Sequence, residues 1–557
     1  MKFKELAEYL QKLESTASRI EMTKILAGVF KQASPEDAQI IAYLSAGKLG
    51  PPYANPDMGV ADKMMLRALG DKALDLFKKL GDLGLVAQEV SKGKGDLSIK
   101  EVHEKLVEIA TASGSGSQEK KQVLIRDLMS NLDSLSAKYT TRIILSKLRV
   151  GFSDMTVLDS LSWMVKGDKS LRPEIERMYN VRADLGEIAK KIRSNPKPEK
   201  IAPKIGIPIL MARAERATSA GQIWGRNGRC AAEYKLDGLR IQAHVAGDKV
   251  LLFSRGLEDV SSMYPEVVAG LKKYLKKPAI VEGEMIALTK DGKFLPFQET
   301  MQRKRKYDIE SMSGKIPLTI YLFDALVVDG KSIMDEPNEK RRAVLENIVA
   351  EGGGTVPVLL MTRTIVESVT DIERFFKRAL QDGTEGIIAK RLQGPYQAGA
   401  RDFNWIKYKK SYDQSALADT VDAVVMGYDV GQGKRVGFGI GDFLIGVYDA
   451  TADCYLTIAK IGTGLSDEEW RRMKKEIDAI KAPERPSNYE VKKEMSVDVW
   501  AKPKIVVEVQ ADEITKSPMH SSSYALRFPR LISWREKQPR EATSTTELSR
   551  LYDLQKK

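Results

Sequence analysis

The chain has 557 residues, 30% of them charged, with a formal net charge of +13 and a sequence pI near 9.2. This length predicts three or four domains. The net positive charge suits a polyanionic partner, although a soluble basic protein without such a partner would have the same charge. Two distant cysteines, Cys230 and Cys454, exclude a disulfide framework and a four-cysteine zinc site. A charged amphipathic start and the lack of a long apolar stretch predict a cytoplasmic protein without membrane contacts.

The first part of the chain has the periodicity of helices. Apolar residues recur at helical spacing in Leu6–Leu13, Val102–Ile109 and Ile143–Val150. The pattern D-L-G-x-x-A occurs at Asp82–Ala87 and again at Asp184–Ala189, which hints at two similar helical halves.

Three glycine-containing segments of this helical part could hold phosphates through backbone amides without reading bases. They are Gly81–Val86, Lys147–Asp154 and Asn180–Ile188. An ordinary helical bundle with capped turns explains the same segments, and the residues alone favour that simpler interpretation.

A change of pattern follows Arg193–Lys204, a stretch rich in proline and lysine that is typical of a linker. Strand patterns then alternate with helical ones, which predicts an α+β domain. These strands are Lys249–Phe253, Ala279–Leu288, Leu318–Val328, Glu385–Lys390 and Trp405–Tyr408.

After a polar break at Ser411–Asp419 the chain is again rich in strands. Several short strands with glycine-rich connections fit a small β-barrel. They are Val421–Tyr428, Asp442–Tyr448, Tyr455–Ile461 and Ile505–Gln510.

The decapeptide Ala231–Arg240, AAEYKLDGLR, is the central motif of the chain. Its apolar start predicts a strand that ends at an Asp-Gly turn, with Lys235 near the strand end. A lysine amine is a nucleophile only without its extra proton, whereas the flanking Glu233 and Asp237 favour the charged form. A metal ion or other lysines must therefore offset these acids. A surface hairpin explains the decapeptide alone about equally well.

The pattern E-x-K-x-D-G-x-R resembles the nucleotide-acceptor motif of the covalent nucleotidyltransferases, which comprise DNA ligases, RNA ligases and mRNA capping enzymes. Further motifs of that family are matched in order downstream. They are Ser254–Gly256 (SRG), Glu282–Glu284 (EGE), Tyr321–Asp324 (YLFD), Glu385–Lys390 (EGIIAK) and Trp405–Lys409 (WIKYK). Each short match has an ordinary structural explanation by itself, but the ordered set does not.

The flanking regions narrow the resemblance to one branch of the family. Tyr43–Tyr53, Leu80–Ala87 and Arg142–Leu161 look like the helical DNA-binding domain of archaeal and eukaryotic ATP-dependent DNA ligases, which RNA ligases and capping enzymes lack. Glu508–Ser517 and Leu526–Pro529 resemble segments of their OB-fold domain. The resemblance implies a multidomain protein with an all-α DNA-binding domain at 1–203, an α+β adenylation domain at 204–412 and a β-barrel OB-fold domain at 413–557.

The resemblance to an archaeal-type ATP-dependent DNA ligase also implies the reaction. Lys235 would form a covalent adenylate from ATP, and the protein would seal 5′-phosphate/3′-hydroxyl nicks in duplex DNA during replication, repair and recombination. Magnesium or another divalent cation would lie on Glu284 and Glu385. The implied nucleotide-binding residues are Glu233, Arg240, Arg255, Glu284, Phe323, Lys407, Lys409, Arg535 and Lys537.

Within that set Glu233 would accept from the adenine amino group, Phe323 would stack on the base, and Arg255 would contact ribose and phosphate. Arg535 and Lys537 would orient the leaving pyrophosphate. The family motif there is R-x-D-K, but this chain reads Arg535-Glu536-Lys537, one residue shorter.

The expected assembly is a monomer that encircles nicked duplex DNA, with the C-terminal domain moving about a hinge at Ser411–Asp419. The basic run Arg303–Lys306 would contact the DNA backbone. Sliding-clamp binding is common in this family, but Gln88–Leu97 lacks the paired aromatics of the usual motif, so a sliding clamp stays an open partner without a clear binding motif.

Three rival functions are less well supported. An NAD-dependent ligase usually carries a four-cysteine zinc site, which this chain cannot build. An RNA ligase or capping enzyme would lack the helical N-terminal part. A non-catalytic DNA-binding scaffold is suggested only by the shortened motif at Arg535, and the retained Lys235 and Glu385 argue against it.

Overall fold

The structure is a computed structural model that describes residues 1–555 except 17, 151, 290, 304–308, 351–356, 410–419 and 432. The chain folds as two compact units, Met1–Tyr408 and Lys409–Lys557. The proposed hinge at Ser411–Asp419 and the 412/413 domain boundary lie outside the described residues. No helix among the residues described is long and apolar enough to cross a membrane.

The first part of unit one is helical, and its helices surround one apolar core. Serine and aspartate side chains begin many of them, because their oxygens accept hydrogen bonds from otherwise unpaired first-turn amides. The helices are α1 (Phe3–Glu14), α2 (Arg19–Gln32), α3 (Pro35–Ser45), α4 (Asp62–Leu69), α5 (Ala73–Leu80), α6 (Leu83–Val90), α7 (Ile99–Thr111), α8 (Ser117–Asn131), α9 (Ser134–Ile144), α10 (Asp154–Lys166), α11 (Arg172–Val181) and α12 (Leu185–Ser194).

The two D-L-G segments have the same local structure. Asp82 begins α6 and accepts from the amide of Leu85, and Asp184 begins α12 and accepts from the amide of Glu187. The glycines permit close helix packing: a Cβ atom at Gly186 would lie 2.3 Å from the ring of Tyr43 on α3. The faint sequence repeat therefore corresponds to two similarly capped helix starts.

The helices that pack on α6 and α12 also end alike. After α3, Gly47 has φ 68° and the Lys48 amide donates to Tyr43 O at 3.0 Å. After α9, Ser146 has φ 54° and the Lys147 amide donates to a carbonyl five residues earlier at 2.8 Å. Both ends are left-handed caps followed by a lysine. The local likeness thus includes the ends of the helices that pack on α6 and α12.

One helical prediction is wrong. The stripe Ile143–Val150 was expected to be helical, but α9 ends at Ile144. Ser146 and Arg149 have φ of 54° and 60°, so the chain leaves the right-handed helix there. The apolar spacing continues beyond the end of α9 because Leu148 and Val150, which lie in the non-helical segment that follows, are also buried.

The second part of unit one contains two sheets and their covering helices. The elements are β1 (Arg213–Arg216), α13 (Ala220–Asn227), β2 (Cys230–Lys235), β3 (Leu239–Ala246), β4 (Lys249–Ser254), α14 (Pro265–Tyr274), β5 (Ala279–Ala287), α15 (Phe297–Met301), α16 (Ile309–Lys315), β6 (Leu318–Val328), β7 (Lys331–Ser332), α17 (Asn338–Ile348), β8 (Val358–Leu360), β9 (Arg363–Val366), α18 (Val369–Gln381), β10 (Gly386–Arg391) and β11 (Arg401–Lys409).

One sheet has the strand order β1-β11-β10-β2-β9, and the other has β4-β3-β5-β6-β7 with β8 added parallel to β6. The tight turn at Asp237-Gly238 carries the chain from β2 in the first sheet to β3 in the second. Gly238 is needed there, because a Cβ atom would lie 2.3 Å from Met285 O on β5. The decapeptide therefore joins the two sheets.

The second unit is rich in strands, as expected. Its elements are β12 (Val421–Asp429), β13 (Asp442–Asp449), β14 (Cys454–Ile461), α19 (Asp467–Ala479), β15 (Lys481–Ala482), β16 (Tyr489–Glu490), β17 (Val499–Ala501), β18 (Val506–Gln510), β19 (Glu513–Lys516), β20 (Tyr524–Arg527), β21 (Arg530–Arg535) and α20 (Thr545–Leu554). The main sheet has the order β15-β17-β12-β13-β14-β16, with β18 pairing both β12 and β21.

Candidate active site

Lys235 and Glu385 meet where β2 ends. Strands β2 and β10 are antiparallel with Lys235 opposite Gly386, and the Glu385 amide donates to Lys235 O at 3.0 Å. The Lys235 ammonium donates to Glu385 Oε2, and the two side chains are 21% and 17% exposed. Two residues that are distant in sequence thus form an ion pair that a small ligand can still reach.

Glu233, two residues earlier on β2, is buried and paired with cations. Its Oε2 accepts from Lys390 Nζ at 2.7 Å, and its Oε1 lies 3.7 Å from Arg363 Nη1. Burial lowers the pKa of Lys390, although the charge of Glu233 opposes this effect. One carboxylate and two cations thus lie together here with little access to water.

Phe323 on β6 lies against this polar cluster. Lys390 Nζ is 4.5 Å from its ring centroid and donates to Phe323 O at 3.3 Å. Trp405 packs edge-on at 5.8 Å between ring centroids, and the Arg240 guanidinium lies 5.5 Å from the Phe323 centroid. The ring is only 8% exposed, and the side chains that surround it are aromatic and cationic.

The two glutamates of β5 have different environments. Glu282 is fully buried and accepts from Arg240 Nη2 at 2.8 Å and from Gln242 Nε2 at 3.1 Å. Glu284 is partly exposed and lies opposite Arg240 across β3 and β5. Burial raises the pKa of Glu284 to about 7, against the opposing charges of Lys235 and Arg240. Of the two, Glu284 is the carboxylate available to a ligand.

This raised pKa gives a pH prediction for the ligand-free protein. The folded-state pKa of about 7 exceeds the ordinary value of 4.5, so the folded state takes up a proton between these pH values. Glu284 therefore lowers the free energy of unfolding as pH rises through this window. We expect Glu284→Gln to raise the melting temperature at pH 8 but not at pH 4.5. The gain in the free energy of unfolding at pH 8 should be about 1–3 kcal/mol. Equal shifts at both pH values would contradict this.

The remaining predicted site residues lie on neighbouring elements. Arg255 is exposed just after β4, in the segment that leads to α14. Lys407 and Lys409 both lie on β11, partly exposed and two residues apart, so their side chains leave the strand on one side. Arg216 of β1 is the register partner of Lys407.

Two arginines of the first unit were missed or misjudged from sequence. Arg341 on α17 is fully buried and donates to both oxygens of Asp324, at 2.8 and 2.9 Å. Arg303 was expected to contact DNA, which is wrong: it is 1% exposed and pairs with Glu266 at 2.5 Å. The other residues of that basic run, 304–306, lie outside the described residues.

In the second unit, Arg535 and Lys537 converge on one carboxylate. Arg535 Nε and Lys537 Nζ donate to the two oxygens of Asp422, at 3.2 and 2.6 Å. Both cations are about 40% exposed. The shortened motif thus still brings its two cations together, because both reach Asp422 at the start of β12.

Metal binding can be judged from the donors present. Within the described ranges no group of three or more His, Cys, Asp or Glu side chains could hold a metal ion. Magnesium needs fewer, since it typically takes one or two carboxylates and completes its shell with phosphate oxygens and water. Glu284 and Glu385 interact electrostatically at this site, so the donor set fits a magnesium ion that arrives with a nucleotide.

Comparison with known families agrees with this architecture along the whole chain. Family models match at residues 2–162 (DNA ligase N terminus), 211–409 (ATP dependent DNA ligase domain) and 437–538 (ATP dependent DNA ligase C terminal region). The chain belongs to the ATP-dependent DNA ligase family. Its relatives within this family include archaeal proteins. The pocket residues from Glu233 to Lys409 lie within the central match, and Arg535 and Lys537 lie within the C-terminal one.

Several curated relatives are similar to this chain over nearly their full length. A probable DNA ligase of Dictyoglomus turgidum is 43% identical, covering 100% of this chain and 98% of the relative. DNA ligase 2 of Thermofilum pendens is 39% identical, covering 99% and 97%, and the DNA ligase of Sulfolobus acidocaldarius is 37% identical, covering 99% and 98%. A solved structure named Pmar-Lig_Pre. has a TM-score of 0.55 at 18% identity, covering 95% and 99%, which supports the shared fold.

Proposed function

We propose that this chain seals nicks in duplex DNA with ATP through a lysyl-AMP intermediate on Lys235. In the first step the Lys235 amine would form a P–N bond to the α-phosphorus of ATP, the α–β P–O bond would break, and pyrophosphate would leave. The AMP would then pass to a DNA 5′-phosphate, and the 3′-hydroxyl would displace it to form the phosphodiester. The observation that carries this proposal is the accessible Lys235–Glu385 pair within the segment that matches the ATP dependent DNA ligase domain.

Each side chain of the pocket has a role in this reaction. Glu385 holds the Lys235 ammonium at the site and would accept its proton, since neighbouring cations on the phosphates favour the neutral amine. Glu233 would accept from the adenine amino group through Oε1, because Oε2 already accepts from Lys390. Phe323 would contact the base. Arg255, Lys407 and Lys409 would neutralise charge on the phosphates.

Magnesium would be held by Glu284 and Glu385. When bound, it would neutralise phosphate charge and favour departure of pyrophosphate. The fit rests on two neighbouring carboxylates, Glu284 and Glu385, each of which raises the cost of the other's negative charge. Arg240, paired with buried Glu282, would fix the turn that follows Lys235.

We further propose three domains at 1–203, 204–412 and 413–557, with the last an OB-fold that brings Arg535 and Lys537 to the leaving pyrophosphate. The helical domain would bind DNA phosphates at its duplicated helix ends. Exposed basic side chains there, such as Lys147 and Arg149, support that role. A monomer would suffice for these contacts.

The test is incubation of the protein with α-labelled ATP and magnesium, followed by denaturing electrophoresis and a nicked-duplex sealing assay. We expect covalent label and sealed product with ATP, and neither with NAD or GTP. Covalent label on the protein without sealed DNA would indicate that the substrate is a different nucleic acid. Label from NAD or GTP alone would favour a different nucleotidyltransferase activity. No label with any of these nucleotides would favour a non-catalytic DNA-binding scaffold.

A further inference from the structure

Arg363 is a buried arginine of the adenylation pocket with an unused hydrogen-bond donor. It begins β9 directly opposite Glu233 of β2, although the two are far apart in sequence. Its side chain is 9% exposed and that of Glu233 is 2% exposed. Arg363 Nη1 and Glu233 Oε1 are both buried and lack any hydrogen-bond partner among the residues described, and the distance between them is 3.7 Å.

A buried polar atom without a partner costs on the order of 1–3 kcal/mol. Arg341 nearby avoids this cost, because its Nε, Nη1 and Nη2 all donate, to Asp324 and to two carbonyls, at 2.7–3.0 Å. Arg363 and Glu233 instead leave one donor and one acceptor side by side. Such a pair suits a ligand that offers an acceptor beside a donor.

The position of this pair indicates which part of a ligand it would meet. The other oxygen of Glu233 accepts from Lys390, and Lys390 Nζ lies 4.5 Å from the centroid of Phe323. Phe323 is the aromatic ring proposed to contact the nucleotide base. The unpaired donor of Arg363 and acceptor of Glu233 therefore lie where the nucleotide base would bind. Lys235, which pairs with Glu385, is two residues further along β2.

We propose that Arg363 is a specificity-determining residue that donates to a ring nitrogen of adenine beside the C6 amino group, while Glu233 Oε1 accepts from that amino group. This inference rests on the proposed adenylation function. Adenine carries an amino donor at C6 with acceptor nitrogens N1 and N7 near it. Guanine carries the acceptor O6 in place of the amino group, which would face the Glu233 carboxylate. The pair thus selects adenine and rejects guanine.

The experiment follows formation of the nucleotidyl adduct by intact-mass spectrometry with ATP, 1-deaza-ATP and 7-deaza-ATP. For the natural chain we expect ATP to exceed one of the two analogues by about 10- to 100-fold in kcat/KM. The analogue that is disfavoured identifies the ring nitrogen. Arg363→Met should lose a similar factor with ATP and use ATP and that analogue equally well.

The ratio between nucleotides is measured on one preparation, so partial misfolding of a variant does not change it. Thr364→Val, the next residue of β9, is the matched control and should keep the natural ratio. Arg363→Gln keeps a neutral donor and should retain part of the discrimination, which provides a second variant if Arg363→Met does not fold.

Three outcomes would overturn the inference. Equal use of ATP and both analogues by the natural chain would show that no ring nitrogen is read. If Arg363→Met kept the natural ratio of kcat/KM between ATP and the analogue, another residue would contact the ring nitrogen. In both cases adduct formation with ATP would leave the proposed function standing. If the natural chain formed no adduct with ATP, the proposed function would fail first and this inference with it.

Discussion

Lys235→Met should carry no covalent AMP after incubation with ATP and magnesium, a loss on the order of 10⁴-fold or more, because the proposed nucleophile is gone. The substitution is sterically mild, since Lys235 is 21% exposed and methionine keeps its apolar stem. It leaves Glu385 without this ion pair, and for a partly buried pair we expect a stability change of about 1–3 kcal/mol. Mass spectrometry of the intact protein measures the adduct.

Two controls make this result specific to Lys235. Lys249→Met removes an exposed lysine at the start of β4 and should leave adduct formation unchanged. A nick that already carries AMP on its 5′-phosphate should still be sealed by Lys235→Met, because only the first step needs the lysine. The adduct on the natural chain should be released by acid and survive alkali, as a phosphoramidate does. Full adduct in Lys235→Met would place the nucleophile elsewhere.

Much of this site was predictable because its motifs combine local signals. The strand before Lys235, the turn at Asp237-Gly238 and the acid before β10 each have a short-range pattern, and β2 and β10 occur as expected. The glycine of the turn is required by its close approach to Met285 O. Residues that determine their own backbone conformation are visible in sequence.

The unpredicted residues depend on pairing between distant strands and helices. Arg363 matters only because β9 lies beside β2 in one register, and Arg341 only because α17 packs on β6. Nothing next to either residue in sequence indicates its partner. The end of α9 was missed for a local reason: its left-handed residue is Ser146, whereas the equivalent position after α3 is Gly47, a recognisable stop signal.

The fully buried pair of Arg341 and Asp324 predicts the largest loss of stability. Both side chains are 0% exposed, and Arg341 also donates to the carbonyls of Glu336 and Gly394. Arg341→Met would leave the Asp324 carboxylate buried and unpaired, which costs about 3–5 kcal/mol. For a domain of this size we expect the melting temperature of that transition to fall by roughly 6–20 °C, measured by differential scanning calorimetry.

Lys340→Met on the same helix is the matched control. It removes an exposed pair with Glu336 and should shift that transition by less than about 1 kcal/mol. The double variant Arg341→Met/Asp324→Asn should recover part of the loss, because no buried charge remains unpaired. A single variant as stable as the natural chain would mean that water reaches Asp324. Since Asp324 directly follows Phe323 in β6, weaker ATP binding should accompany the lost stability.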